Sequence, residues 1–413
     1  MVSFERYKLK NGLTVLLHHD KTTPMVVVNT LYDVGARDEN ENKTGFAHLF
    51  EHLMFGGSVN ISDFDKELQK AGGESNAFTS NDVTNYYDIV PAQNIETALW
   101  LESDRMLSLA FTDKSLEVQR NVVIEEFKQR YLNQPYGDVW LELRPLAYEK
   151  HPYKWATIGK DIAHIENANM EDVKSFFKKY YRPANAILCI AGNYDESRIK
   201  SIIEKYYGSI PGGLRPSRLN PAEPKQNSFK TKAIYRDVPS NAFYYAFKMG
   251  PRKSSDYYIG DIMSDALGKD NSSILNIALK KELELVTEIN AFITGSLDDG
   301  LFIISGKLAD GVDFNDLDKA LWEQLDEIKR MGIDNDKLES LKNKINTAKA
   351  FQEQGLLNRS INLSFFELLG DANGVNEEGF IYQKISCNDL ILFASDVLIR
   401  NNCSLLKVAI NDR

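Results

Sequence analysis

The sequence predicts an α+β protein made of two related halves. Three observations predict it. Strand-like and helix-like stretches are mixed along the whole chain. A proline-rich stretch divides the chain just past its middle. A helix-then-strand pattern near the end of the first half recurs at the end of the second.

The chain has 413 residues, a length that suits two or three domains of roughly 150 residues each. Hydrophobic residues make up 43% and charged residues 26%, a balance that excludes disordered and fibrous classes. Residues 211–226 read PGGLRPSRLNPAEPKQ, with Pro211, Pro216, Pro221 and Pro224. Proline at that density blocks helix and sheet ladders alike. The stretch 211–227 therefore reads as a linker between a first domain, 1–210, and a second, 228–413. The two halves look duplicated. Residues 180–193 read YYRPANAILCIAGN and residues 398–411 read LIRNNCSLLKVAIN. Each has Arg, Asn within three residues, then an apolar run closing on Asn. Each follows an amphipathic stretch, MEDVKSFFKKY in one case and CNDLILFASDVL in the other, so both read as a helix followed by a buried strand.

The elements follow in order. TVLLHHD and MVVVNTLYDVG are β-rich runs separated by the turn-like KTTP. SDFDKELQKAG opens on Ser62 and Asp63 and stops at Gly72, as a capped helix does. SLEVQRNVVIEEFKQRYLNQ is a helix that stops before Pro135. In the second half, DFNDLDKALWEQLDEIKRMG and NDKLESLKNKINTAKAFQEQ are two more helices.

Composition limits the function. Net charge is −10 and no Lys/Arg block interrupts it, which excludes nucleic acid as a partner, since phosphate binding needs a clustered basic face. No apolar run approaches the roughly 20 residues of a membrane helix. The opening MVSFERYKLKNGLTVLL lacks the basic-then-apolar order of a signal peptide. Cys189, Cys387 and Cys403 make no closed disulfide set, so free thiols, a reducing compartment and a cytoplasmic location are expected.

The stretch that carries chemistry is TGFAHLFEHLMFGGS, Thr44 to Ser58. On a helix, His48 and His52 are four apart and share a face, so both can point at one metal ion. Glu51 stands beside that face and can reach a water without occupying a coordination position. This is the logic of a catalytic zinc site: protein groups hold the ion, water takes an open position, and a carboxylate takes the water's proton. Composition alone would produce H-x-x-[DE]-H roughly 0.01 times in such a chain. Thr44 or a neighbour is expected to cap the helix, and Gly56-Gly57 to end it. A third ligand should come from another helix. Glu126, in Arg120 to Phe127, is the best candidate, with Glu125 beside it as the alternative. His18 and His19 fall in a strand, on opposite faces, and read as structural.

H-x-x-E-H followed by R-N-x-V-x-x-E, whose last glutamate lies 74 positions after His52, resembles the pitrilysin family of zinc peptidases, the inverzincins, which includes the mitochondrial processing peptidase and bacterial two-subunit relatives. Gly72-Gly73-Glu-Ser-Asn76-Ala77-Phe78-Thr79 resembles the family's G-G-x-x-N-A-x-T segment. Tyr181-Arg182-Pro183 and His151-Pro152-Tyr153 are also similar to it. The resemblance implies that each half is an α+β unit with a mostly antiparallel sheet. It implies one zinc per chain, held by His48, His52 and Glu126, with Glu51 as general base and as proton donor to the leaving amine. It also implies a peptide or unfolded-protein substrate, bound extended along the edge strand that carries Gly73, Asn76, Ala77, Phe78 and Thr79.

The sequence departs from the family in two respects. A second glutamate is usual seven residues before the ligand, and here stands Gln119, which can hydrogen-bond but adds no charge. Single-chain members also carry an Arg-x6-Tyr pair that binds the scissile carbonyl. Here Lys280 and Thr287 stand in those places, and no arginine occurs between Arg252 and Arg330. The expectation is a zinc endopeptidase subunit paired with a related partner subunit, or self-associated. The rival expectation is a non-catalytic scaffold on the same fold.

Overall fold

A computed structural model describes residues 1–218 and 221–411. Residues 219 and 220 of the proline-rich stretch, and 412–413 of the second half, lie outside the described residues. The chain forms two compact units. The first comprises Met1–Lys128, Trp155–Asn220 and Lys349–Glu377, and the second Gln129–Lys154, Pro221–Ala348 and Glu378–Arg413.

The first unit holds strands β1 (Glu5–Lys8), β2 (Thr14–His19), β3 (Met25–Tyr32), β4 (Glu74–Thr79), β5 (Thr84–Pro91) and β6 (Ala186–Gly192) in one sheet of order β1-β2-β6-β3-β5-β4. Only β2 and β6 run parallel; the other neighbours are antiparallel. Helices cover both faces of the centre. Asn29 Nδ2 donates to Ser364 Oγ in the helix Leu356–Leu369. The next residue, Thr30, donates from Oγ1 to Glu102 Oε2 in the helix Ile95–Leu107. Successive strand residues face opposite sides, so the two helices lie on opposite faces. Being covered twice, β6 reads as an unbroken apolar run, AILCIAG, all of it buried.

The second unit holds β7 (Lys230–Arg236), β8 (Ala242–Met249), β9 (Val286–Ile293), β10 (Gly300–Leu308) and β11 (Cys403–Ile410), in the order β7-β11-β8-β10-β9. Again one pair is parallel, β7 with β11. Strand for strand this repeats β2-β6-β3-β5-β4, so the duplication legible in the sequence is a duplication of topology. The recurrent Arg/Asn pattern has a common structural use. Asn185 Nδ2 donates to the carbonyls of Tyr180, at a helix end, and Asp33, just past β3. Asn402 Nδ2 donates to Val397, at a helix end, and Lys248, in β8. In each unit one buried or half-buried amide ties the helix exit to the neighbouring strand before the chain enters the sheet centre. The second core is aromatic, with Phe247 packing edge-on against Phe302 and Trp322.

Candidate metal centre

The helix α1 (Phe46–Leu53) forms because one of its faces is wholly apolar: Phe46, Ala47, Leu49, Phe50 and Leu53 are buried. The other face carries His48, Glu51 and His52, all half-buried. The Phe50 ring stacks on Tyr181 and Phe176 at 5.0 Å. From below, the buried Tyr86 hydroxyl donates to the Phe50 carbonyl at 3.2 Å. Burial above all, and to a smaller degree the Glu51 charge, pushes the Tyr86 and Tyr181 phenols up, so both stay protonated. Tyr86 in turn lies under the fully buried Arg105 guanidinium, 4.6 Å from its ring.

The helix does not start as its sequence suggests. Its N-cap is Gly45, with no side-chain cap. The Thr44 hydroxyl instead accepts from the Lys160 amide at 2.8 Å and lies 2.8 Å from His164 Nδ1. At the other end, Met54 closes the helix, and Gly57 follows in the left-handed region at φ 100°.

The third group comes from α4 (Asp113–Phe127). Its N-cap Thr112 accepts from the Ser115 amide at 3.1 Å, and Leu116, Val123, Ile124 and Phe127 are buried. That register turns the adjacent glutamates apart. Glu125 is exposed and pairs with Lys128 at 2.7 Å. Glu126 turns to α1, its Oε2 3.6 Å from His48 Nε2 and 3.3 Å from His52 Nε2. One donor atom from each of His48, His52 and Glu126 lies within 4.8 Å of the others. Two imidazole nitrogens and one carboxylate oxygen converging at that spacing fit the donor set of a catalytic zinc ion. Gln119 lies half-buried on α4, two turns before Glu126.

β4 is an edge strand, paired with β5 alone: Asn76 with Tyr87, Ala77 with Tyr86, Phe78 with Asn85 and Thr79 with Thr84. Phe78 is exposed. Gly73 enters the strand where a Cβ would meet Val90 Cγ1 at 2.6 Å and Leu68 Cδ1 at 2.8 Å. His18 is structural: Nδ1–H donates to the Ser3 carbonyl at 2.6 Å, and Nε2 meets Arg359 at 2.9 Å. Burial pulls its pKa down. Lys280 and Thr287 are both exposed, the first on the π-helix Asn276–Glu282 and the second on β9.

Sequence reasoning missed Glu39, whose carboxylate meets the start of α1. The sequence carries no signal for it, since an acidic residue shortly before a helix that Thr44 could cap is a feature many exposed glutamates share.

A two-unit α+β fold with duplicated, mostly antiparallel sheets, and with H-x-x-E-H facing a glutamate in the first unit alone, defines the pitrilysin-like class of peptidases. Residues 14–158 match the family model for insulinase (peptidase family M16), and residues 167–345 match that for the peptidase M16 inactive domain. The zinc protease PqqE of Helicobacter pylori is 30% identical over 344 residues, covering 82% of this chain and 77% of that protein. The β subunit of the mitochondrial processing peptidase of Saccharomyces cerevisiae is 26% identical over 311 residues, covering 71% and 66%. The crystal structure of a protease from H. pylori superposes with a TM-score of 0.91 at 26% identity, covering 99% of this chain and all of that one. The fold also matches pitrilysin, with a TM-score of 0.78 at 17% identity, over 99% of this chain and 45% of pitrilysin. The chain belongs to peptidase family M16. Among the described residues no helix is long and apolar enough to cross a membrane.

Proposed function

We propose that this chain is the zinc-bearing subunit of a cytoplasmic endopeptidase that hydrolyses peptides or unfolded polypeptide segments, and that a related partner subunit supplies carbonyl-binding groups that this chain lacks. The observation that carries the reading is the convergence of His48, His52 and Glu126 beside Glu51. His48, His52 and Glu126 would hold one zinc ion, and zinc, when bound, acidifies water and polarises a carbonyl. Glu51 takes the proton from the attacking water and returns it to the leaving amine. The unpaired edge of β4 adds the substrate as an extended strand, which presents its backbone carbonyls in register and selects unfolded over folded chains. Gln119 supports the Glu126 side of the site without adding negative charge.

The partner is invoked because Lys280 and Thr287 replace the arginine and tyrosine of the family pair. A yeast relative is itself named as a subunit, which accords with that reading. The match of residues 167–345 to an inactive-domain model favours a second reading, a non-catalytic scaffold. That scaffold has no use for four metal-site residues in place together, and it predicts no zinc.

The test is hydrolysis of a mixed peptide library by the zinc-loaded chain, alone and with cognate relatives, beside Glu51→Gln. Cleavage that vanishes in Glu51→Gln while zinc stays bound is the expected outcome. A chain that binds no zinc and cleaves nothing under any pairing would sink the peptidase reading and leave the scaffold.

A further inference from the structure

His48, Glu51 and His52 stand on a helix of 8 residues, and the start of that helix cannot carry its own cap. Gly45 occupies the N-cap position at φ 87°. A Cβ there would lie 2.6 Å from the Ile158 carbonyl oxygen and 2.8 Å from Ile165 Cδ1. The Ser, Thr, Asp or Asn that usually accepts the first helical amides is thus excluded by sterics and by backbone conformation. Thr44, one residue earlier, has its hydroxyl engaged with Lys160 and His164.

The acceptors come from Glu39. Its Oε2 accepts from the Gly45 amide at 2.9 Å and its Oε1 from the Ala47 amide at 2.8 Å. The residue is 8% exposed. Burial pushes its carboxyl up to about 8, against the pull of the two amides. The turn that carries Glu39 is fixed in its own right. The Trp155 indole donates to the Ala36 carbonyl at 2.9 Å, and Arg218 Nε donates to Asp38 Oδ1 at 2.5 Å. Ala47 directly precedes His48. The apolar underside of α1 attracts without direction, so two directional hydrogen bonds to a rigid turn are what can set how far the helix slides and turns on it.

We propose that Glu39 is a positioning residue for the metal centre. By capping α1 from outside, it fixes where His48, Glu51 and His52 point, and so sets both zinc affinity and rate. The proposal rests on the reading of His48, His52 and Glu126 as zinc ligands. Displacements of about 1 Å at such a site cost on the order of 100-fold in rate.

The experiment compares full-length wild type, Glu39→Gln and Glu39→Asp. Gln keeps the size but turns an amide donor toward a backbone donor, and Asp keeps the carboxyl but falls short. Three readouts are taken: zinc dissociation constant by competition with a chromogenic chelator, the visible spectrum of the cobalt(II)-loaded protein, and kcat and KM separately. The expected result for Glu39→Gln is zinc binding weakened roughly tenfold, in line with supports one step removed from a metal. Its cobalt spectrum is altered, and kcat falls by a similar factor at unchanged KM. Ser386→Ala, which removes the cap of the helix Cys387–Val397 in the second unit, controls for stability. It should lower Tm and leave zinc affinity, spectrum and kcat alone.

Wild-type zinc affinity, spectrum and kcat in Glu39→Gln would overturn the proposal. So would equal losses in Ser386→Ala at an equal drop in Tm. Should Glu39→Gln not fold, Glu39→Asp decides by the same criteria. If it too fails to fold, hydrogen exchange on wild type decides: protected Gly45 and Ala47 amides support the cap, and fast exchange overturns it. Failure of wild type to bind zinc would instead refute the proposed function, a separate and visible outcome.

Discussion

At the scale of single residues, the choice between two adjacent glutamates turns on helix phase. Residues on α4 advance about 100° each, so Glu125 and Glu126 cannot face the same neighbour. The buried Val123, Ile124 and Phe127 fix the phase, sending Glu125 to solvent, where it pairs with Lys128, and Glu126 toward α1. Glu126→Gln is therefore expected to weaken zinc binding by 10-fold or more, and Glu125→Gln to leave it within twofold, both read by chelator competition. Equal losses in the two variants would refute the assignment. The pair His48 and His52 was legible in the sequence because spacing alone fixes it. Glu126 was legible only as one of two candidates until a family likeness was added, because the sequence does not show which face of α4 is packed. Glu39 was not legible at all. Its role depends on a steric fact, the carbonyl of Ile158 against Gly45, between residues 113 apart in the sequence. Glu284 stands at φ 52° between the Lys280 and Thr287 positions. That conformation suits glycine best, and nothing in the sequence pattern announces it.

At the scale of elements, helices and strands were easier to read than the stretch between them. Proline density at 211–227 announces a segment without ladder hydrogen bonds, and a linker is the natural expectation. The structure shows why that segment is nonetheless held: side chains replace the backbone bonds that proline removes. In the first unit Arg215 and Arg218 reach Asp33 at 2.6 and 2.7 Å. In the second, Glu223 accepts from the amides of Glu149, Lys150 and His151 at 2.9, 3.0 and 2.9 Å and pairs with Lys248 at 2.6 Å. Burial works to raise the Glu223 carboxyl, but Lys248 and the three amides outweigh it and hold it down at about 2. Its pKa is thus lower folded than unfolded. The stability it contributes is present above the unfolded value near 4.5 and is lost as pH falls from there through about 2. Discounted for solvent screening, the contribution is on the order of 1–2 kcal/mol at neutral pH. Glu223→Gln should lower stability at pH 7 by that amount and converge on wild type only as pH falls to about 2 and below, as measured by denaturant melts across pH. A constant difference at all pH values would mean that packing, and not ionisation, is what the variant loses.

At the scale of the whole molecule, the duplication explains what the second half can and cannot do. Of the six histidines only His151 falls within the second unit, so the repeated sheet there comes without the means to build a second H-x-x-E-H site. The duplication was legible because it repeats a short helix-to-strand pattern. The membership of the units was not. Residues 129–154 belong with the second unit and 349–377 with the first, and no local composition marks such an exchange, since each segment is an ordinary helix-rich stretch in its own right. The function divides along the same line. Among the described residues one candidate ligand set occurs, and one zinc per chain is what the proposed function expects of it. On the proposed reading the carbonyl-binding pair is missing, since the segment offers Lys280 and Lys281 but no arginine, and Thr287 has no phenol. Loss of a donor aimed at a developing oxyanion costs on the order of 100-fold in rate or more. The zinc-loaded chain by itself is therefore expected to turn over peptides at least about 100-fold more slowly than its mixture with a related subunit that carries Arg and Tyr in that segment. KM should change less than kcat, since the missing groups act on the transition state. Titration of one chain against the other should saturate at a 1:1 ratio with one zinc per pair. Full activity in the purified chain, at a rate no related subunit increases, would show that its own groups suffice and that the heterodimer is unnecessary.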